Sequence, residues 1–199
     1  MKEIILATAN AHKVLEIKEI LKGMDLSIKS LADFKDYPKV VEDGATLCEN
    51  SVKKALTIAQ FFNKPTISDD TGLEVEYLNG APGVFSARFA GPQCIDKNNR
   101  LKLLKELNNV PFEKRAAHFK CAVSIVFPDR NMMIKTVEGQ IDGYISLEES
   151  GQNGFGYDSL FWLAQYKKTF AELDAELKNK ISHRAKALEK AKAIIAEFL

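Results

Sequence analysis

Residues 4–24 read IILATANAHKVLEIKEILKGM, and this stretch decides the expected fold. The apolar run from Ile4 to Ala7 predicts a short buried strand. Beyond Asn10, apolar side chains return every three or four positions, which is the spacing of an amphipathic helix. A strand joined to a helix by a tight turn predicts an α/β fold.

The rest of the chain continues this alternation of strands and helices. A helix begins near Thr46, which forms a capping-box pattern with Glu49, and a strand follows from Pro65. Asp96 is expected to cap a third helix. Two long apolar stretches flank a turn at 128–131 and predict a hairpin, so we expect a mixed sheet rather than a purely parallel one.

The composition excludes several classes of protein. The 199 residues contain 46% hydrophobic and 28% charged residues, as in ordinary globular domains. With 28 Lys+Arg against 27 Asp+Glu, the net charge of +1 does not give the basic surface of a nucleic-acid-binding protein. No apolar run approaches the ~20 residues of a membrane span, and the residues after Met1 do not resemble a signal peptide. We therefore expect a cytoplasmic protein with no nucleic-acid or membrane partner.

The turn after the first strand has the residue types of a phosphate site. Backbone N–H groups at a helix N-terminus, together with Thr8, Asn10 and Lys13, are suited to an anion. Lys13 lies in the first turn of the helix, where a cation opposes the helix dipole unless an anion is bound. The alternative is that Asn10 only caps the helix and Lys13 is a solvated surface residue, because no G-x-x-x-x-G-K-[ST] loop is present.

Asp69 and Asp70 are adjacent carboxylates at the end of a predicted strand, before Thr71-Gly72. Two neighbouring anions repel, so a bound cation would explain the pair. Mg²⁺ commonly takes one or two carboxylates together with substrate phosphates. The alternative is a turn cap with Asp69 solvated.

Basic residues supply further candidates. Arg88 lies between two aromatic residues and either stacks at the surface or contacts phosphate. Lys54 is a surface residue unless its helix faces the acidic residues. His183 and Arg184 open the last helix about one turn after Lys178, which either invites an anion or forms a solvated basic face.

The ordered motifs of this chain resemble those of the inosine triphosphate pyrophosphatase family, including its bacterial XTP/dITP diphosphatases. Each motif alone is weak, but together they span almost the whole chain in the same order. The matching blocks are LATAN at 6–10 with Lys13, Glu49-Asn50 with Lys54-Ala55, SDDTGL at 68–73, GAPG at 80–83 with SAR at 86–88, GFGYD at 154–158, and ISHR at 181–184 with Ala187-Leu188.

The resemblance implies an α/β fold in which helices flank an elongated mixed β-sheet. It also implies two lobes with a central cleft in a single domain over 1–199. It also implies a homodimer. The implied activity is Mg²⁺-dependent hydrolysis of ITP, dITP and XTP to the nucleoside monophosphate and pyrophosphate.

Site residues follow from the same resemblance. Asp70 is implied as the base for water, with Asp69 and Lys54 as supporting catalytic residues, and Glu42 and Asp70 as Mg²⁺ ligands. The residues implied to bind substrate are Thr8, Ala9, Asn10, Ala11, His12, Lys13, Thr71, Arg88, Phe155, Gly156, Tyr157, Asp158, Lys178, His183 and Arg184.

The chain departs from that family's pattern around its most glycine-dense loop. Gln152-Asn153 stands where a glycine-rich pair is common, and Ser159 replaces a frequent proline. Two other functions stay open. One is a Maf-like pyrophosphatase of pyrimidine or modified nucleotides. The other is a nucleotide-binding module without turnover, against which the intact Asp69-Asp70 pair argues.

Overall fold

A computed structural model describes residues 2–199 and divides the chain into two compact units. The first unit contains the chain up to Asp70 together with Cys121–Gly139 and His183–Leu199. The second contains Thr71–Lys120 and Gln140–Ser182. Met1 lies outside the described residues, and the expectation that the chain has no signal peptide falls in part on this residue. Within residues 2–199, no helix is both long and apolar enough to cross a membrane.

Strands and helices alternate through much of the chain, which confirms the α/β class. The strands are β1 Lys2–Leu6, β2 Leu26–Ser30, β3 Thr66–Val75, β4 Pro82–Gly83, β5 Ala116–Phe127, β6 Met133–Ile145, β7 Phe161–Leu163 and β8 Lys168–Thr169. The α-helices are α1 Ala11–Ile20, α2 Leu47–Phe62, α3 Asp96–Glu106, α4 Ala175–Ile181 and α5 His183–Phe198.

The strands form a mixed sheet in the order β2-β1-β3-β5-β6-β7-β8, with β4 paired to β3. β1 pairs in parallel with β2 and with the start of β3, where Leu6 lies opposite Ile67. β7 pairs antiparallel with both β6 and β8. The predicted mixed sheet is therefore confirmed, and β3, β5 and β6 each contribute residues to both units.

Helices cover both faces of β1 in the first unit. Ile4 packs with Ile17 of α1 and Leu188 of α5, whereas Ile5 packs with Ile58 of α2. A strand buried on both faces needs a continuous apolar run rather than an alternating one, which explains the sequence from Ile4 onward. In the first unit, β1 therefore has α1 and α5 on one face and α2 on the other.

The start of α5 lies directly against β6 at Gly139. A Cβ at Gly139 would be 2.1 Å from the carbonyl oxygen of His183 and 2.5 Å from the backbone nitrogen of Ala187. No side chain fits that contact, so glycine is required there. The contact fixes the first turn of α5, which carries Arg184.

The second unit has its own apolar core. Leu73 of β3, Leu103 of α3 and Phe161 of β7 are fully buried in it. The ring of Phe161 lies 4.6 Å from that of Phe119 and 5.2 Å from that of Phe170, measured between centroids. Aromatic pairs at such distances add stabilisation beyond the burial of their area.

The predicted end of the Asp69-Asp70 strand is wrong, because β3 continues to Val75. Leu73 and Val75 are fully buried in the second core, and their burial outweighs the turn tendency of Gly72. Asp69 and Asp70 therefore lie within a strand, where consecutive side chains point to opposite faces.

The predicted cap of α3 is also wrong. Ile95 occupies the capping position and makes no side-chain cap, while Asp96 is the first residue of the helix. The carboxylate of Asp96 instead accepts a hydrogen bond from the backbone N–H of Gly156 at 2.8 Å. By contrast, Thr46 does cap α2, because its Oγ1 accepts the N–H of Glu49 at 3.1 Å.

Candidate active site

The turn between β1 and α1 is organised by its own side chains. Asn10 Oδ1 accepts the backbone N–H groups of His12 at 3.0 Å and of Lys13 at 3.2 Å, so Asn10 caps α1, as the alternative interpretation expected. Thr8 Oγ1 accepts the N–H of Asn10 at 3.2 Å. Lys13 is not a solvated surface residue, because its Nζ lies 3.0 Å from Asp69 Oδ2.

Asp69 is buried on the face of the sheet covered by α1 and α5. Its Oδ2 lies 3.0 Å from Lys13 Nζ and 3.1 Å from Arg184 Nε. Burial alone would raise the pKa of Asp69, but Lys13, Arg184 and Lys54 together hold that pKa far below its usual range. Asp69 is therefore an ionised centre that joins α1, β3 and α5.

Arg184 is 1% exposed and pairs with Glu16 of α1 as well as with Asp69. Burial disfavours a charged guanidinium, but the two carboxylates raise the pKa of Arg184 above its usual value. Its guanidinium thus links two acids in the first unit. The base-reading role implied for Arg184 stays a prediction.

Asp70 lies on the face covered by α2. Its Oδ1 accepts a hydrogen bond from Lys54 Nζ at 2.9 Å, and the same Nζ lies 2.9 Å from Glu42 Oε1. Burial raises the pKa of Asp70 above its usual range even though Lys54 opposes that shift. Burial would lower the pKa of Lys54, but Asp70, Asp69 and Glu42 raise it. Lys54 is therefore a cation between two carboxylates rather than a surface lysine.

Glu42 lies in a loop that the start of α2 holds in place. Asn50 Oδ1 accepts the N–H of Gly44 at 2.8 Å, and Glu49 Oε2 accepts the N–H of Ala45 at 2.7 Å. Asn50 is fully buried, and a Cβ at Gly44 would lie 2.8 Å from its Oδ1. The role of Asn50 was missed from the sequence, although the Glu49-Asn50 match pointed to this position.

Buried hydroxyl groups hold the backbone of Ser68, the strand residue before the two aspartates. Ser51 Oγ lies 3.3 Å from the carbonyl oxygen of Ser68 and 2.8 Å from Ser124 Oγ. Ser124 Oγ in turn lies 3.0 Å from Thr136 Oγ1. These contacts were not predicted, because nothing local in the sequence pairs residues of α2, β5 and β6.

Glu42 and Asp70 form a donor set that fits Mg²⁺. Among residues 2–199, no group of three or more His, Cys, Asp or Glu residues is gathered closely enough to hold a metal by itself. Mg²⁺ does not need such a group, because it commonly takes one or two carboxylates with water and phosphate oxygens. Two carboxylates that already share one ammonium group meet that requirement.

The glycine-rich loop lies in the second unit and is built around Asp158. Asp158 Oδ2 accepts hydrogen bonds from Lys178 Nζ at 2.6 Å and from the N–H of Phe155 at 2.9 Å. Lys178 Nζ also lies 5.1 Å from the centroid of the Phe155 ring. Tyr157 donates its hydroxyl to the carbonyl oxygen of Ser86 at 2.8 Å. The structure thus brings Phe155, Asp158 and Lys178 into one network, while Tyr157 is bonded separately to Ser86.

The predicted site residues therefore fall into two groups. Ala9 is exposed in the turn after β1, and Ala11 is exposed as the first residue of α1. His183 is buried at the start of α5, Thr71 is half-buried in β3, and Arg88 stacks 5.1 Å over the Phe85 ring. The first unit holds Thr8–Lys13, Glu42, Lys54, Asp69, Asp70, His183 and Arg184, and the second holds Thr71, Arg88, Phe155–Asp158 and Lys178.

Comparisons with known proteins agree over nearly the whole chain. The family model described as Ham1 family matches residues 4–194. A dITP/XTP pyrophosphatase of Desulforamulus reducens is 48% identical over 193 residues, covering 97% of this chain and 95% of that protein. One of Bacillus cereus is 45% identical over 198 residues, covering 100% and 97%.

A solved structure of a HAM1 protein from Coxiella burnetii is similar in fold. It superposes with a TM-score of 0.89 at 36% identity, covering 99% of this chain and 100% of that one. The match of the family model, the identities over full length and the shared fold lead to the same conclusion: the chain belongs to the Ham1 family.

Proposed function

We propose that this protein hydrolyses ITP, dITP and XTP to the nucleoside monophosphate and pyrophosphate. The observation that carries the proposal is the contrast between two adjacent strand aspartates. Asp69 is paired with the two cations Lys13 and Arg184. Asp70, beside Lys54 and Glu42, has a pKa above its usual value. The relatives described above are named dITP/XTP pyrophosphatases, which supports dITP and XTP as substrates.

The phosphate groups would bind at the start of α1. The backbone N–H groups and the positive end of the helix dipole favour an anion there. Lys13 is held near this turn by Asp69, 3.0 Å away, so its ammonium group is fixed before the substrate arrives. A cation positioned in advance stabilises developing charge without reorganisation.

Asp70 would accept the proton of the attacking water. A carboxylate with a raised pKa is a better base near neutral pH than an ordinary one. Lys54, 2.9 Å away, orients that carboxylate and compensates part of its charge. The attack would occur at the α-phosphorus, since the products are a monophosphate and pyrophosphate.

Glu42 and Asp70 would hold Mg²⁺. When bound, this ion neutralises phosphate charge and acts as a Lewis acid. The residues of the chain supply the rest: Lys13 binds phosphate, Lys54 orients Asp70, and Asp70 takes the proton.

The residues of the second unit are proposed as the nucleoside-binding part. Phe155–Asp158 and Lys178 would shape the pocket for the base and sugar, and Thr71 and Arg88 would contact the substrate. His183 and Arg184 are proposed to recognise the 6-keto oxygen, since both side chains have hydrogen-bond donors. These roles are supported by the motif matches.

We also propose that residues 1–199 act as one functional domain in a cytoplasmic homodimer. Relatives named for a single activity match this chain over nearly its whole length, which supports one domain.

The test is pyrophosphate release from ITP, XTP, dITP, GTP, ATP and dTTP, with Mg²⁺ and with a chelator. We expect rapid release from the first three with Mg²⁺ and loss of release with the chelator. Preference for dTTP would favour the Maf-like alternative. Binding of ITP without release of pyrophosphate would favour a non-catalytic module.

A further inference from the structure

Both backbone polar groups of Gly156 are held by side chains of α3. Its N–H donates to Asp96 Oδ2 at 2.8 Å, and its carbonyl oxygen accepts from Arg100 Nη1 at 2.9 Å. Asp96 and Arg100 are four residues apart, so they lie on the same side of the helix. Asp96 and Arg100 together hold one residue of the glycine-rich loop against α3, and we call these two hydrogen bonds the grip.

Glu149 and Ser159 hold Arg100 in the orientation that this grip needs. Arg100 Nε donates to Glu149 Oε2 at 2.7 Å, and Ser159 Oγ donates to the same oxygen at 2.8 Å. A planar guanidinium that is fixed on one edge presents its other donors in a defined direction. The hydroxyl group of Ser159 therefore helps to fix the carboxylate that orients Arg100.

The grip acts on Gly156, which has no side chain of its own to anchor the loop backbone. Gly156 has φ of +61°, and a Cβ built on it would meet no atom within 4 Å. Phe155 and Asp158 are held by the Lys178 network, and Tyr157 is held by Ser86. Contacts from α3 therefore complete the fixation of the segment.

We infer that Asp96, Arg100, Glu149 and Ser159 are positioning residues that set the geometry of Phe155–Asp158 and hence the selectivity for the nucleoside. This inference rests on the proposed role of that segment in nucleoside binding. None of the four needs to touch the substrate. Their loss should weaken nucleoside binding and leave the phosphate chemistry of the first unit intact.

The kinetic test compares Arg100→Ala and the milder Ser159→Ala with Lys105→Ala, an exposed residue of the same helix. For Arg100→Ala we expect KM for ITP to rise about five- to tenfold with kcat nearly unchanged, the size expected when one or two hydrogen bonds are lost. The ratio of kcat/KM for ITP to that for ATP should fall. Ser159→Ala should give a smaller rise in KM and a smaller fall in the ratio, and Lys105→Ala should change neither quantity. Unchanged KM and selectivity in Arg100→Ala would overturn the inference.

Hydrogen exchange tests the grip without any assumption about activity. In the absence of nucleotide, Arg100→Ala should speed exchange in the peptide that contains residues 154–158, and Lys105→Ala should not. Unchanged exchange would overturn the inference even if the enzyme were fully active. Faster exchange in a protein that releases no pyrophosphate from any of the triphosphates would keep the grip and overturn the proposed function. Faster exchange with unchanged KM would limit these residues to a structural role and so overturn the inference.

Discussion

Two buried lysine–aspartate pairs lie in different units and differ in what surrounds them. Lys54 bonds Asp70 at 2.9 Å and shares its ammonium group with Glu42. Lys178 bonds Asp158 at 2.6 Å beside a backbone N–H and two aromatic rings. With Glu42 included, the first group has two carboxylates for one ammonium group, so negative charge is in excess. In the second pair, Asp158 also binds the backbone of its own loop.

The difference explains why the same two residue types suit different tasks. An acid that keeps a raised pKa beside another carboxylate is suited to accept a cation or a proton. An acid whose oxygen already accepts both an ammonium and a backbone N–H is suited to fix a chain segment. The contrast supports the proposed catalytic role of the Asp70 pair and a positioning role for the Asp158 pair.

The largest expected effect is loss of turnover in Asp70→Asn. The amide keeps the shape of the side chain but neither binds Mg²⁺ well nor accepts a proton, so kcat should fall by about 10³-fold or more. The thermal unfolding temperature should change little, because burial already disfavours the charge of Asp70. Asp43→Asn, which alters an exposed pair with Lys53, is the control. Near-normal kcat would break the assignment.

Asp158→Asn should show the reverse pattern, with stability as the main loss. Lys178 would remain as a buried ammonium group without its carboxylate, and breaking such pairs costs about 3 kcal/mol of unfolding free energy. Denaturant unfolding measures this loss. Glu176→Gln, in an exposed pair with Lys180, should cost almost nothing. If Asp158→Asn were as stable as the parent, the two pairs would not differ as described.

Lys13→Ala should lower kcat/KM by about 30-fold. The variant removes a proposed phosphate contact that strengthens in the transition state, and it leaves Asp69 with one cation fewer. We expect KM to rise and kcat to fall together in steady-state kinetics. Lys22→Ala, which alters an exposed pair with Glu19, is the control. Unchanged constants would return Lys13 to a purely structural role.

Asn50→Ala should weaken Mg²⁺ use by about tenfold. Without its Oδ1, the N–H of Gly44 loses its acceptor, so Glu42 is no longer held beside Lys54. The concentration of Mg²⁺ for half-maximal rate should rise, while KM for ITP at saturating Mg²⁺ stays the same. Gln60→Ala, at an exposed position of α2, should change neither. A change in KM for ITP alone would contradict this account of the loop.

The smallest expected effect concerns His118. Unlike the two buried lysine–aspartate pairs, His118 has partners that are mostly exposed. Its ring nitrogens lie 2.8 Å from Asp142 Oδ1 and 3.0 Å from Glu76 Oε1. Partial burial opposes protonation, but the two acids raise the pKa of His118 above 6.5.

The sign of the pH effect follows from that raised pKa. The stabilisation is fully present below the unfolded value of 6.5 and is lost as pH rises through the folded pKa. Because Asp142 and Glu76 are mostly exposed, the loss should be under about 1 kcal/mol. Unfolding of His118→Gln and the parent, compared at pH 5.5 and 9, measures it. Equal pH dependence in both proteins would show that His118 contributes nothing.

The sequence alone determined the features that depend on neighbouring residues. The strand-turn-helix at the start of the chain and the cap at Thr46 were predicted correctly, and the cap at Asn10 was one of the two interpretations that the sequence left open. Apolar spacing and caps act within one or two turns, so a window of about a dozen residues contains the whole cause. The ordered motifs also determined the family.

Only the tertiary structure decided the partners of the charged residues. Asp69 and Arg184 are 115 positions apart, and Asp70 meets Lys54 of another helix on the opposite face of the sheet. Two adjacent aspartates thus receive opposite pKa shifts because successive side chains of a strand face different helices. No local pattern specifies which cation arrives at which face. That choice follows from the burial of β3 between helices drawn from distant parts of the chain.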